Sequence, residues 1–200
     1  MSKSIIAVDI DDVLSENVPA FVAWCNKQYS LDLTVDEYDE DWSRMWQVDH
    51  AEATRRNGEF HASRAMASYK HDAQAIDVLK ALKQRYDLVV ITSRPNHVRD
   101  LTLEWLERAY PGLFDSVHFA GMWDVITEES HKATKADLAR KLDIAYLIDD
   151  QPKHVLAVSS LGIPAVMFGD YGWNRDIDLP AGVVRCVDWA AVKEYFDAQT

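Results

Sequence analysis

Two cysteines, Cys25 and Cys186, are too few for a disulfide framework and have no zinc-like spacing, so neither an oxidised scaffold nor a zinc finger is available to this chain. Long apolar runs are absent too. The one at residues 5–8 is broken by Asp9, far short of a signal-peptide core or a membrane span, and a cytoplasmic location is the expectation. Glycine and proline are scarce, seven and six residues, and no Gly/Ser/Pro-rich tract interrupts the chain, which excludes a disordered linker. Basic residues are in deficit, 21 against 33 acids, for a formal charge of −12. A field of that sign opposes broad contact with nucleic acid polymers or anionic membranes. The seven histidines form no metal-ligand cluster, so zinc is not indicated.

What is present suits one globular domain, or a core domain carrying a large insertion: 200 residues, 48% hydrophobic and 27% charged. Short apolar runs at 5–8, 88–91, 117–119, 146–148 and 165–168, with a sixth at 183–187, predict buried parallel strands. Between them, Ala75, Val78, Leu79 and Leu82 keep one-face helical spacing, as do Leu101, Trp105 and Leu106, and Leu138 with Leu142. Alternation of this kind predicts an α/β fold, a doubly wound parallel sheet whose function gathers at the carboxyl ends of the strands. One connection is far longer than a crossover needs. Helices are expected within it at 17–29 and 51–69, with Thr34 and Glu37 as a capping box. A helical insertion over the sheet edge, spanning 15–72, follows, with 1–14 and 73–200 as the core.

Polar residues cluster where the strands end. "IIAVDIDD" sets Asp9 and Asp11 on one side of an extended backbone, and two carboxylates so close call for a cation. Mg²⁺ suits them, because it takes oxygen ligands and keeps room for water and phosphate. A turn with solvated acids is the bland alternative. "VVITSRP" offers the hydroxyls of Thr92 and Ser93 followed by Arg94, which serve either a phosphate oxygen or a helix cap. "ATKADLARKL" puts Lys135 in the first turn of a helix, where the dipole disfavours a cation unless an anion is bound; Lys132 is its rival. "LIDDQP" repeats the opening arrangement with Asp149 and Asp150. Four such motifs in order at one end of four strands point to a shared site.

This constellation resembles the haloacid dehalogenase-like (HAD) phosphohydrolase superfamily, whose motifs read here as "DIDDV", "ITSRP", "TKADLA" and "LIDD". "TSRP" and "LIDDQP" are similar to the 5'-nucleotidase, deoxy(pyrimidine) type C group and its bacterial relatives. The resemblance implies a HAD-like core with a helical C1-type cap. It implies Asp9 as nucleophile forming an aspartyl-phosphate, Asp11 as acid/base, and Thr92 and Lys135 as catalytic phosphate ligands. Mg²⁺ is then held by Asp9, the Asp11 carbonyl, Asp149 and Asp150. Asp12 departs from the pattern, since Gly is commoner there. Trp42 and Trp46, four apart, are either a stacking surface for a nucleobase or core of the insertion, and Ser93 and Arg94 join them as candidate substrate ligands. The expected partner is a small phosphomonoester, a nucleotide first and a sugar phosphate second. A catalytically silent binding protein on the same scaffold is the rival from another class. Oligomeric state is left open.

Overall fold

The computed structural model describes residues 3–121 and 133–199. Six parallel strands, β1 (Ser4–Val8), β2 (Tyr86–Thr92), β3 (Ser116–Phe119), β4 (Ile144–Asp149), β5 (Ala165–Phe168) and β6 (Val183–Cys186), form one sheet in the order β3-β2-β1-β4-β5-β6. The inner strands β1, β2, β4 and β5 are largely buried on both faces, which is why their runs read as apolar without alternation, whereas the edge strands β3 and β6 are only partly covered. Successive side chains still part ways. Ile6 and Val8 join one hydrophobic cluster and Ala7 the other; Leu88 and Val90 oppose Val89 and Ile91 in the same manner.

Helices α4 (Ala73–Lys83), α5 (Arg99–Ala109) and α8 (Trp189–Asp197) cover the first face through Leu79, Trp105 and Trp189. On the other, α6 (Lys135–Leu142) and α7 (Pro152–Ser159) bury Ala139, Val155 and Val158. The sheet is therefore doubly wound, and its order reverses between β1 and β4. A crevice opens outside the carboxyl ends at such a switch point.

Between β1 and β2 lie α1 (Asn17–Tyr29), α2 (Trp42–Trp46) and α3 (His50–Ala62), with short 3₁₀ turns at Val35–Glu37 and Ala65–Ser68. The Thr34–Glu37 capping box forms as expected. The helix expected over 51–69 is shorter: it starts at His50, where Asp49 accepts the Glu52 amide, and stops at Ala62. There the Ser63 hydroxyl donates to the Phe60 carbonyl at 2.6 Å and Arg64 turns left-handed, φ 56°. Aromatic packing holds the insertion together, with Phe21 stacked on Trp42 and edge-on to Phe60. Those residues are continuous with the core cluster of one sheet face. Among the described residues no helix is long and apolar enough to cross a membrane.

Candidate active site

Asp9 leaves β1 and donates its amide to Ile148 of β4 at 2.9 Å, which seats the first acid beside the last pair. Asp149 ends β4 and Asp150 follows it. Asp9, Asp149 and Asp150 are all buried, and each offers an oxygen within 4.8 Å of the others. Opposite them, Thr134 and Asp137 cap α6 reciprocally and deliver Lys135 at the first helical position. Its ammonium, 1% exposed, lies 2.7 Å from Asp149 Oδ2 and 2.8 Å from Asp9 Oδ1. Lys132 lies outside the described residues.

Charge decides what this cluster can do. Ionised together, the three carboxylates would outnumber the single ammonium by two charges in a buried site. Burial, opposed by Lys135 and reinforced by Asp149 and Asp11, pushes the Asp9 carboxyl up to about 7. Burial and the neighbouring Asp149 and Asp12 carboxylates hold Asp150 well above the ordinary carboxylate range. Lys135 is held protonated, because Asp149 and Asp9 outweigh its own burial. Asp9 Oδ1 is buried and receives a charge contact rather than an aligned hydrogen bond. A divalent, oxygen-seeking cation fits both the charge and the donor set.

Asp11 belongs to a second, neutral pair. Arg94 Nε donates to its Oδ2 at 3.0 Å and Nη2 to its Oδ1 at 2.6 Å, a bidentate clamp. The guanidinium is itself buried, donates to Thr102 Oγ1 at 3.3 Å and lies over the rings of Tyr69 and Trp105. Arg94 was expected to meet substrate; in the structure its inner nitrogens are taken by Asp11. The Asp11 carboxylate is likewise outside the three-acid cluster, so only its backbone carbonyl is left for a metal. Thr92 is fully buried, with Oγ1 accepting the Arg94 amide at 3.1 Å, and is not part of the cavity wall. Ser93 lines the cavity instead, 3.1 Å from His154 Nε2. Burial and Lys135 push His154 down to about 3, so its ring is neutral.

Asp12 has a structural explanation. It sits at φ 57°, and its carboxylate accepts the Val18 amide at 2.9 Å and Asn17 Nδ2 at 3.3 Å, tying the start of α1 to the acid-bearing turn. Asp tolerates that conformation, and a Gly could not make the tie. Burial raises this carboxyl to about 8 despite the Val18 bond.

A cavity of about 700 Å³ opens over these groups. Its inner end is Asp9, Asp11, Lys135 and Asp150; its outer wall comes from the insertion, including Trp42, Phe60 and His61. Trp42 thus faces the cavity. Trp46 does not: it is 5% exposed, packed against Phe21, Tyr29 and Trp42 in the interior of the insertion. Gln151, His154, Tyr171, Trp173 and Asn174 are among the positions whose side chains touch the acids or line the cavity yet were not candidates.

Comparison with known proteins agrees with this geometry. The pattern of the family described as "5' nucleotidase, deoxy (Pyrimidine), cytosolic type C protein" matches residues 3–199. The chain belongs to this family. It is a phosphatase of the haloacid dehalogenase-like superfamily. BH1399, a candidate nucleotidase of Halalkalibacterium halodurans, is 25% identical over 193 residues, covering 95% of this chain and 91% of the relative. YqfW of Bacillus subtilis, likewise a candidate nucleotidase, is 20% identical over 196 residues, 96% and 93% of the two chains. Among solved structures, the haloacid dehalogenase-like protein SP0104 of Streptococcus pneumoniae aligns with TM-score 0.68 at 14% identity, covering 97% and 98% of the two chains. The HAD-type protein YfnB of Bacillus subtilis, solved with magnesium, aligns at 0.63 and 13%, covering 98% and 100%. At such identities the structural likeness speaks for the fold.

Proposed function

We propose that this family member is a Mg²⁺-dependent nucleoside 5'-monophosphatase that works through an aspartyl-phosphate on Asp9. One observation carries the reading: three buried carboxylates around a single buried lysine, at the inner end of a cavity large enough for a nucleotide. Asp9, Asp149 and Asp150, with the Asp11 carbonyl, would hold the ion. When bound, it supplies positive charge to the phosphoryl oxygens and relieves the repulsion among the acids.

The chain's own groups do the rest. Asp9 attacks phosphorus, so one difficult displacement becomes two. Asp11 enters the cycle protonated, gives that proton to the leaving 5'-oxygen to become the carboxylate that Arg94 clamps, and regains one from the attacking water. The Arg94 clamp holds the Asp11 carboxylate on one heading, which makes Arg94 a positioning residue rather than a phosphate ligand. Lys135 neutralises phosphoryl charge, Ser93 donates from the cavity wall, and Thr92 supports the turn beneath. Trp42 offers the base a face, worth about 1–3 kcal/mol when stacked. Residues 15–72 act as a C1-type cap on a core of 1–14 and 73–200, in a cytoplasmic setting.

A panel of phosphomonoesters, assayed for phosphate release with and without Mg²⁺, tests this. Mg²⁺-dependent release favouring nucleoside 5'-monophosphates is expected. Equal rates on sugar phosphates would replace the nucleotide assignment, and no release from any member would overturn the reading.

A further inference from the structure

The loop after β5 reaches the three-carboxylate cluster from outside the four motifs. Trp173 Nε1 donates to Asp150 Oδ2 at 2.8 Å, and Gln151 Nε2 donates to the same oxygen at 3.0 Å. Two donors therefore converge on one oxygen of this carboxylate. Asn174, fully buried, fixes the main chain behind it, donating to the carbonyls of Asp150 and Phe168 at 2.9 Å each. Tyr171 stacks on the Trp173 ring at 4.6 Å and donates its hydroxyl to the Asp12 carbonyl at 2.8 Å.

The same loop is one of the places where the insertion meets the core. Tyr38 stands edge-on against the Trp173 indole, centroids 5.3 Å apart. The Asp36 carbonyl approaches Gly172 so closely that a Cβ there would stand 3.0 Å from it. Lys153 and Glu40 add an ion pair beside this contact. One aromatic ring therefore touches the insertion on one side and holds a carboxylate of the cluster on the other.

We infer that Trp173 is a positioning residue: it sets the cluster's affinity for a divalent cation by orienting Asp150, and it couples that affinity to the seating of residues 36–38. This rests on the assignment of Asp150 as a cation ligand. Outer hydrogen bonds of this kind fix the heading of a ligating carboxylate, and their loss typically weakens metal binding 10–100-fold. Coupling is reciprocal, so unseating the insertion weakens the cation by the factor that the cation adds to seating.

Calorimetric titration of Mg²⁺ into the full chain provides the test, with no substrate present. Asp150→Asn is expected to lose measurable binding, and Trp173→Phe to bind about 10–100-fold more weakly than wild type. Tyr38→Ala, which leaves the indole–carboxylate bond in place, is expected to weaken binding about fivefold. In ¹⁵N–¹H spectra the indole cross-peak missing from Trp173→Phe is expected to shift in wild type as Mg²⁺ is added, and to be displaced in Tyr38→Ala. If Trp173→Phe does not fold, Trp173→Leu, which likewise lacks the indole N–H, and Tyr38→Ala carry the test. Loss of binding in Asp150→Asn alone, with every Trp173 and Tyr38 variant within twofold of wild type, would overturn the inference. Unchanged binding in Asp150→Asn would instead overturn the ligand assignment beneath it.

Discussion

Replacing Lys135 with methionine keeps the side chain's length and removes its charge from a buried site at the inner end of the cavity. Lys135 is 1% exposed, Asp149 0% and Asp9 5%, so solvent compensates the acids left behind only weakly. Breaking one partner out of a buried pair costs about 3–5 kcal/mol. The acids respond by binding protons: Asp9, already pushed up to about 7, rises further once Lys135 no longer lowers it. A carboxyl raised in the folded state contributes stability at low pH that is lost as pH climbs through the raised value. The deficit of Lys135→Met is therefore largest near pH 8 and shrinks toward pH 5. Urea unfolding in a chelator, followed by circular dichroism, reads this directly. With a slope of about 2 kcal/mol per molar, the midpoint at pH 8 falls by about 2 M. Mg²⁺ at a hundred times its dissociation constant restores about 2.7 kcal/mol in whichever chain binds it. A midpoint within about 0.3 M of wild type at pH 8, or a deficit that grows on acidification, would refute the charge accounting of the site.

Arg94→Met is expected to lower kcat about 10–100-fold with little change in KM, because acid/base catalysis by Asp11 loses its heading. Steady-state kinetics checks it, and a rise in KM alone would return Arg94 to substrate binding. Asp12→Asn keeps an acceptor for the Val18 amide and removes a buried acid raised to about 8. Its unfolding midpoint in chelator is expected to gain on wild type as pH rises from 4 to 8, then to level off. Trp46→Ala is expected to cost about 3–5 kcal/mol in denaturant while leaving nucleotide preference intact. Trp42→Ala is expected to lose about 1–3 kcal/mol of discrimination against sugar phosphates in kcat/KM.

Much of this was legible in the chain. Strands buried on both faces announce themselves as unbroken apolar runs, and a carboxylate directly after such a run cannot be mistaken for core. Asp9, Lys135, Asp149 and Asp150 were therefore found by position and type, and the structure brings all four together. Partnerships across long sequence distance were not legible. Nothing local marks Arg94 as the clamp of Asp11, 83 residues away, or Trp173 as a donor to Asp150, 23 away. A glycine-punctuated loop reads as surface whether or not it folds back on a site. Asp12 is legible as an acid tolerant of the left-handed region, but not as the partner of a helical amide six residues on. Trp42 and Trp46 share a helix, yet one faces the cavity and the other the interior, since four-residue spacing sets a common stripe and not which edge of it is open.

The central claim is that Asp9 takes the phosphoryl group in a Mg²⁺-dependent reaction. Phosphate release from a nucleoside 5'-monophosphate, measured side by side for wild type and Asp9→Asn in saturating Mg²⁺, tests it most directly. Turnover is expected for wild type, and none above background for a variant that circular dichroism shows to be folded. Turnover by folded Asp9→Asn at the wild-type rate would contradict it.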